Sequence, residues 1–176
     1  MKTLAAFMLV LGGLAVLDGQ TAADAKLQEQ LKKLFPAAVS FSAKEGTPPH
    51  FTAFGRDPKS GSQTILGYAF WTTELEPLER GYDGPIKILV GMNPQAILTG
   101  IIVVAHREPY GYFSVDRPEF AAQFVGKDIR DPFRLYQDID AVSRATMSMT
   151  SSTRAVKNSS RRVAKALLTP PSDPGK

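Results

Sequence analysis

Ile86-Lys87-Ile88-Leu89-Val90-Gly91-Met92 and Ala96-Ile97-Leu98-Thr99-Gly100-Ile101-Ile102-Val103-Val104-Ala105-His106 decide the fold. Both runs are dense in branched side chains, and Asn93-Pro94-Gln95 separates them. Branched residues pack well on a pleated surface, and proline pre-sets the backbone of a turn. The pattern predicts a β-hairpin. Its apolar residues run on with little alternation, so the hairpin is expected to be central and largely buried.

The flanking chain supplies fewer strands and several short helices. Residues 64–72 carry Ile65, Tyr68, Phe70 and Trp71 and read as a strand, with Gly67 marking a bulge or a close backbone approach. A shorter strand is expected near residues 50–54, between turn-rich segments. Residues 27–35 place Leu27, Leu31, Leu34 and Phe35 on one helical face, and Pro36 stops the helix. Downstream, Pro118 suits the first turn of a helix over residues 118–125, in which Phe120 and Phe124 stack at i, i+4. Residues 126–132 read as a turn into a final short strand. A last helix over residues 151–168 aligns Val156, Ser160, Val163 and Leu167 before Pro170-Pro171. The order of elements predicts an α+β fold with an antiparallel-dominated sheet around the hairpin, packed by short helices and a C-terminal helix.

The 176 residues fit one domain. Lys2, the apolar run 4–17 and Ala23-Asp24-Ala25 follow the pattern of a secretion signal cleaved after Ala25. The expected division is a signal peptide over 1–25, a domain over 26–169 and a disordered tail over 170–176, with the mature protein in the periplasm. An uncleaved signal is the alternative, and it would hold the protein on the membrane. The formal charge is +4, and cleavage would remove Lys2, Asp18 and Asp24, leaving the chain more basic. An exported protein rarely meets nucleic acid, so no nucleic-acid partner is expected, and the charge points to an anionic ligand, a partner protein or solubility. The chain has no cysteine and only two histidines, His50 and His106. Disulfides, cysteine-bound iron–sulfur clusters and thioether-attached haem are therefore excluded, and no metal site is expected. A redox role would need an organic cofactor.

The remaining signal is Asp140-Ala141-Val142-Ser143-Arg144-Ala145-Thr146-Met147-Ser148, just ahead of the basic last helix. A helix start exposes unpaired N–H groups and a positive dipole end, which suits a phosphate. Arg154, Lys157, Arg161, Arg162 and Lys165 spread further positive charge along the helix. The same residues also read as ordinary Ser/Thr caps and a solvated basic face. The sequence pairs no base with Thr146, which speaks against a hydrolase.

Asp140-x-x-Ser143-x-Ala145-Thr146 resembles the Asp-x-x-Ser/Thr-Gly-Ala-Thr motif of FMN-binding domains. That family includes the G subunit of Rnf electron-transport complexes and the C subunit of sodium-pumping NADH:quinone oxidoreductase. It also includes the periplasmic domain of nitrous-oxide-reductase regulators, to which residues 107–164 are most similar. Residues 80–94, with Gly81, Tyr82, Gly84 and Gly91, resemble the family's lead-in to its hairpin. His106-Arg107-Glu108-Pro109-Tyr110-Gly111 resembles its His-x-Glu-Thr-Pro-Gly segment. The resemblance spans residues 27–168. It implies FMN esterified through its phosphate to Thr146 by a flavin transferase that uses FAD. Asp140, Ser143, Ala145 and Ser148 would shape the loop.

His106 is expected to hydrogen-bond the isoalloxazine, to position Glu108, or to serve structure alone. Tyr82, Tyr110, Tyr112 and Trp71 either stack on the ring or pack the core and rim, with Gly111 completing the segment. Two departures stand out. Arg144 replaces the family's glycine, and Pro109-Tyr110 replaces Thr-Pro. Arg144 is read as pairing with the phosphate. The resemblance thus implies an exported electron carrier that exchanges electrons with membrane or periplasmic redox proteins, rather than a substrate-converting enzyme. The alternative is a non-redox binding or assembly module of the same fold that has lost covalent flavin.

Overall fold

The computed structural model describes residues 17–141 and 144–168. The expected C-terminal tail and most of the expected signal segment lie outside the described residues. Five strands form one antiparallel sheet in the order β1 (Ser40–Phe41), β2 (Phe51–Arg56), β3 (Gln63–Trp71), β4 (Lys87–Met92) and β5 (Leu98–Ala105). The helices are α1 (Leu17–Leu34), α2 (Thr72–Leu75), α3 (Pro118–Ala122) and α4 (Thr146–Leu167), with a 3₁₀ turn at Gly111–Phe113. The α+β architecture is the one the sequence predicts.

The hairpin forms as expected, but at one end of the sheet rather than at its centre, and its apolar continuity has a specific cause. β5 is the last strand in the order, so burial comes from helices on both faces of the sheet. Ile88, Val90 and Met92 face one core with Phe70, Phe124, Val156 and Val163, under α3 and α4. Leu89, Ala69 and Trp71 face the other, with Leu31, Leu34 and Phe35 of α1 and the residue after it. Side chains alternate across a strand, and here each set meets a helix. The start of β5 is covered by the chain after α3, where the Leu98 amide donates to the Lys127 carbonyl and the Gly126 amide donates to the Leu98 carbonyl.

Gly67 carries both features expected of it. The register slips between Ala53 and Phe54, where Ala53 pairs with Gly67 and Phe54 with Ile65, leaving Leu66 as the extra residue of a bulge. A Cβ on Gly67 would also collide with the Met92 carbonyl oxygen of the neighbouring strand.

Several boundaries differ from the sequence reading, and α3 ends at Ala122 rather than residue 125. α1 starts at Leu17 rather than residue 27, running through the expected cleavage point after Ala25. Residues 18–26 carry no apolar repeat in the sequence, which is why periodicity missed them. α4 starts at Thr146 rather than 151. No strand follows residue 126 among the described residues. Isolated bridges, Ile97 with Asp128 and Leu135 with Ile139, take its place. Pro132 lacks an N–H, and the Asp138 carboxylate accepts from the N–H groups of Phe133 and Arg134 at 2.9 and 2.6 Å, which leaves little backbone for a ladder. Among the described residues no helix is long and apolar enough to cross a membrane.

Gly67→Ala is expected to cost about 1–3 kcal/mol through overpacking. Urea unfolding should show a lower midpoint with an unchanged slope.

Candidate functional site

Thr146 is the first residue of α4, its side chain exposed. Ala145 occupies the cap position and offers no side-chain hydrogen bond, so the first-turn amides keep the positive end of the helix dipole open. The chain enters the helix through Arg144, whose φ is +73°. Left-handed backbone is costly for a residue with a Cβ. The turn that glycine would make is thus made here by arginine, which adds an exposed guanidinium beside Thr146.

These residues form one side of a cleft of about 550 Å³, lined by Tyr82, Pro109, Tyr110, Arg144, Ala145, Thr146, Met147 and Ser148. Tyr82 and Tyr110 stand 70% and 50% exposed. The volume is in the range of small-molecule sites, none of the lining residues is acidic, and flat side chains face a cationic helix start. The donor set fits a phosphate-bearing aromatic ligand.

Glu108 fixes the floor. It is 6% exposed, and its carboxylate accepts the N–H groups of Tyr82 and Asp83, each at 2.9 Å, and the Ser148 hydroxyl. One side chain therefore joins the loop carrying Tyr82, its own loop carrying Tyr110, and the first turn of α4. Burial alone raises the Glu108 pKa, but the Ser148 hydroxyl and the Asp83 and Tyr82 amides outweigh it and hold the pKa below the ordinary value. Gly81 follows from this contact, since a Cβ there would lie 2.5 Å from the carboxylate oxygen.

His106 supports Glu108 rather than the cleft. Its Nδ1 accepts the Glu108 amide at 3.0 Å, which leaves the ring proton on Nε2, 2.8 Å from Asp116. Gly111 packs against the His106 ring so closely that a Cβ would collide with it.

The structure thus gathers Tyr82, Tyr110, Arg144, Ala145, Thr146 and Ser148 around one cleft, with Glu108, His106 and Gly111 beneath. It places Asp140 elsewhere. The Asp140 amide donates to Gln123 at 2.6 Å, and the residue borders a separate cleft with Phe120 and Met149. Ser143 lies outside the described residues. Of the other aromatic candidates, Trp71 is buried in the α1-side core and Tyr112 is exposed against Phe113.

The basic face of α4 is engaged in structure. Arg154 pairs with Glu79 through both carboxylate oxygens, and Arg162 pairs with Glu76 at 2.9 Å. Lys157 and Arg161 donate to the carbonyls of Pro132 and Ile129. Four of the five basic residues of α4 are thus engaged away from Thr146, and Arg144 is the cation that lines the Thr146 cleft. Sequence reasoning also missed Tyr136, whose hydroxyl lies 3.4 Å from Thr146 Oγ1. A lone tyrosine in a loop carries no periodic signal. Among the described residues no cluster of three His, Asp or Glu side chains is arranged to hold a metal.

Residues 81–161 match the family model of the FMN-binding domain, which indicates FMN as the cofactor. Two relatives extend the match across nearly the whole chain. Regulatory protein NosR of Pseudomonas aeruginosa is 28% identical over 172 residues, covering 92% of this chain and 23% of NosR. The G subunit of the ion-translocating oxidoreductase complex of Shewanella oneidensis is 26% identical over 179 residues, covering 88% of this chain and 83% of that relative. The chain therefore spans less than a quarter of the length of NosR.

Glu108 gives a pH signature. Its folded pKa is depressed, so its stabilisation is complete above the unfolded value near 4.5 and is lost as pH falls through the lower folded value. Glu108→Gln should lower stability at neutral pH by about 2–3 kcal/mol, since an amide cannot accept all three donors. It should also flatten the acid limb of a stability–pH curve measured by urea unfolding.

Proposed function

We propose that this protein is an exported flavoprotein electron carrier with FMN attached through a phosphoester to Thr146. The observation that carries the reading is the position of Thr146, at the open start of α4 and on the wall of the cleft within the FMN-binding domain. Arg144 and the first-turn amides are placed to compensate a phosphate. Tyr82, Pro109 and Tyr110 give the flat, partly apolar walls that suit a flavin ring. Bound flavin supplies the redox chemistry, and the protein sets its exposure and orientation.

Attachment follows as a phosphoryl transfer catalysed by a flavin transferase. The Thr146 oxygen bonds to the phosphorus of the FMN half of FAD, and the anhydride bond to the departing AMP breaks. The hydroxyl proton is released, and no electrons change hands. A covalent tether keeps the cofactor from dilution outside the cytoplasm. The names of the relatives, one from an oxidoreductase complex and the other a regulatory protein, support membrane or periplasmic redox proteins as electron partners. The backbone at Arg144 is left-handed, a conformation that glycine adopts readily, which favours retained attachment over a non-redox module.

Protein exported together with a flavin transferase should gain the mass of one FMN less water, on the peptide containing Thr146, and Thr146→Ala should remain unmodified. A folded, colourless wild-type protein made beside an active transferase would overturn the reading. In the Thr146→Ala background, Arg144→Gln should weaken FMN binding about fivefold, as fits an exposed charge contact of about 1 kcal/mol. Riboflavin, which lacks the phosphate, should bind both forms equally in a fluorescence titration.

A further inference from the structure

We propose that Tyr136 is a positioning residue for Thr146, orienting the acceptor hydroxyl for flavin attachment. The assignment rests on Thr146 as the acceptor. It starts from an energetic oddity. Tyr136 adopts φ +65° and Phe133, three residues earlier, φ +51°. Strained backbone of this kind persists only where its surroundings enforce it.

Here they do. Asp138 accepts from the amides of Phe133 and Arg134 and from Lys127 Nζ at 2.9 Å. The Arg134 carbonyl receives the amides of Gln137, Asp138 and Ile139, and the Tyr136 amide donates to the Ile139 carbonyl at 2.8 Å. Phe133 and Ile139 anchor the two ends in the core.

What this loop presents is not a packing residue. The Tyr136 side chain is 72% exposed, so burial does not offset the strain. Its hydroxyl reaches Thr146 Oγ1 at 3.4 Å, and among the described residues it is the one side-chain hydrogen-bond partner of that oxygen. Arg144, two residues before Thr146, is also left-handed. Two non-glycine residues near the acceptor are thus held in a conformation that side chains disfavour.

A threonine hydroxyl attacks phosphorus through a lone pair, and its rate depends on how often that lone pair faces the substrate. When Thr146 donates its hydrogen to the Tyr136 oxygen, its own lone pairs are left free. A phenol both accepts and donates, so Tyr136 also has a hydrogen to give once the Thr146 proton has left to the transferase. Phenylalanine keeps the ring and loses both capacities.

The test is the rate of flavin attachment to the full chain, using purified transferase and FAD and reading covalent flavin fluorescence after denaturation. Tyr136→Phe should lower the transferase kcat about tenfold with an unchanged KM for the acceptor protein and an unchanged melting temperature. Tyr136→Gly, which removes strain and hydroxyl together, should be at least as slow while remaining folded. Attachment to Tyr136→Phe at the wild-type rate overturns the proposal, and so does a raised KM with unchanged kcat, which would make Tyr136 a docking contact. Those outcomes leave Thr146 standing. A wild-type protein that takes no flavin from a transferase active on another acceptor, or a Thr146→Ala protein that does take it, removes the acceptor reading and Tyr136 with it.

Discussion

A buried carboxylate holds the cleft together. Glu108 draws the loop before the hairpin, the loop after it and the first turn of α4 onto two oxygen atoms. An ionised group this deep is tolerable only when its lone pairs are taken up, and here two amides and a hydroxyl take them. Saturation has a second effect. It leaves the negative charge locally compensated, so a phosphate-seeking helix start stands close to a carboxylate without being cancelled by it. Gly81 and Gly111 are consequences of the same geometry, one clearing the carboxylate and the other clearing the histidine that holds the Glu108 amide.

Positive charge is divided along α4 by a comparable logic. Along its length, Arg154 and Arg162 grip acidic residues just beyond α2, while Lys157 and Arg161 grip carbonyls of the segment following α3. These contacts clamp the helix to the sheet from two sides. They also commit its basic residues to architecture, so that the electrostatics of the cleft are set locally by Arg144 and by backbone dipoles.

Much of this was legible in the sequence, for reasons that differ by element. The hairpin and the buried stripe of α4 announce themselves through side-chain periodicity, which a core on each face of the sheet rewards. The cleft residues were legible through motif resemblance, and Tyr82, Tyr110 and Thr146 do meet in space. The start of α4 was not legible. Residues 146–153 are mostly Ser and Thr, weak helix formers that hydrogen-bond their own backbone. They are helical because Ser148, Ser151, Ser152 and Thr153 are buried against the rest of the fold. The direction of Asp140 was hidden for another reason. Spacing along a loop does not say which way a side chain turns, and the Gln123 contact turns this segment toward α3. Tyr136 was silent because its significance lies in a backbone angle and one distance, neither of which has a sequence pattern.

The missing cap on α4 links maturation to stability. A long helix with alanine at its cap position takes no side-chain cap hydrogen bond from that residue. If the ester forms as proposed, its phosphate stands at that end as a permanent cap supplied by the cofactor. A phosphate tethered there meets the positive helix end only in the folded chain, so the flavin-bearing form is then the more stable one. The residue that takes the ester and the end of the helix that gains from it are then the same, so maturation and folding meet at one point of the chain.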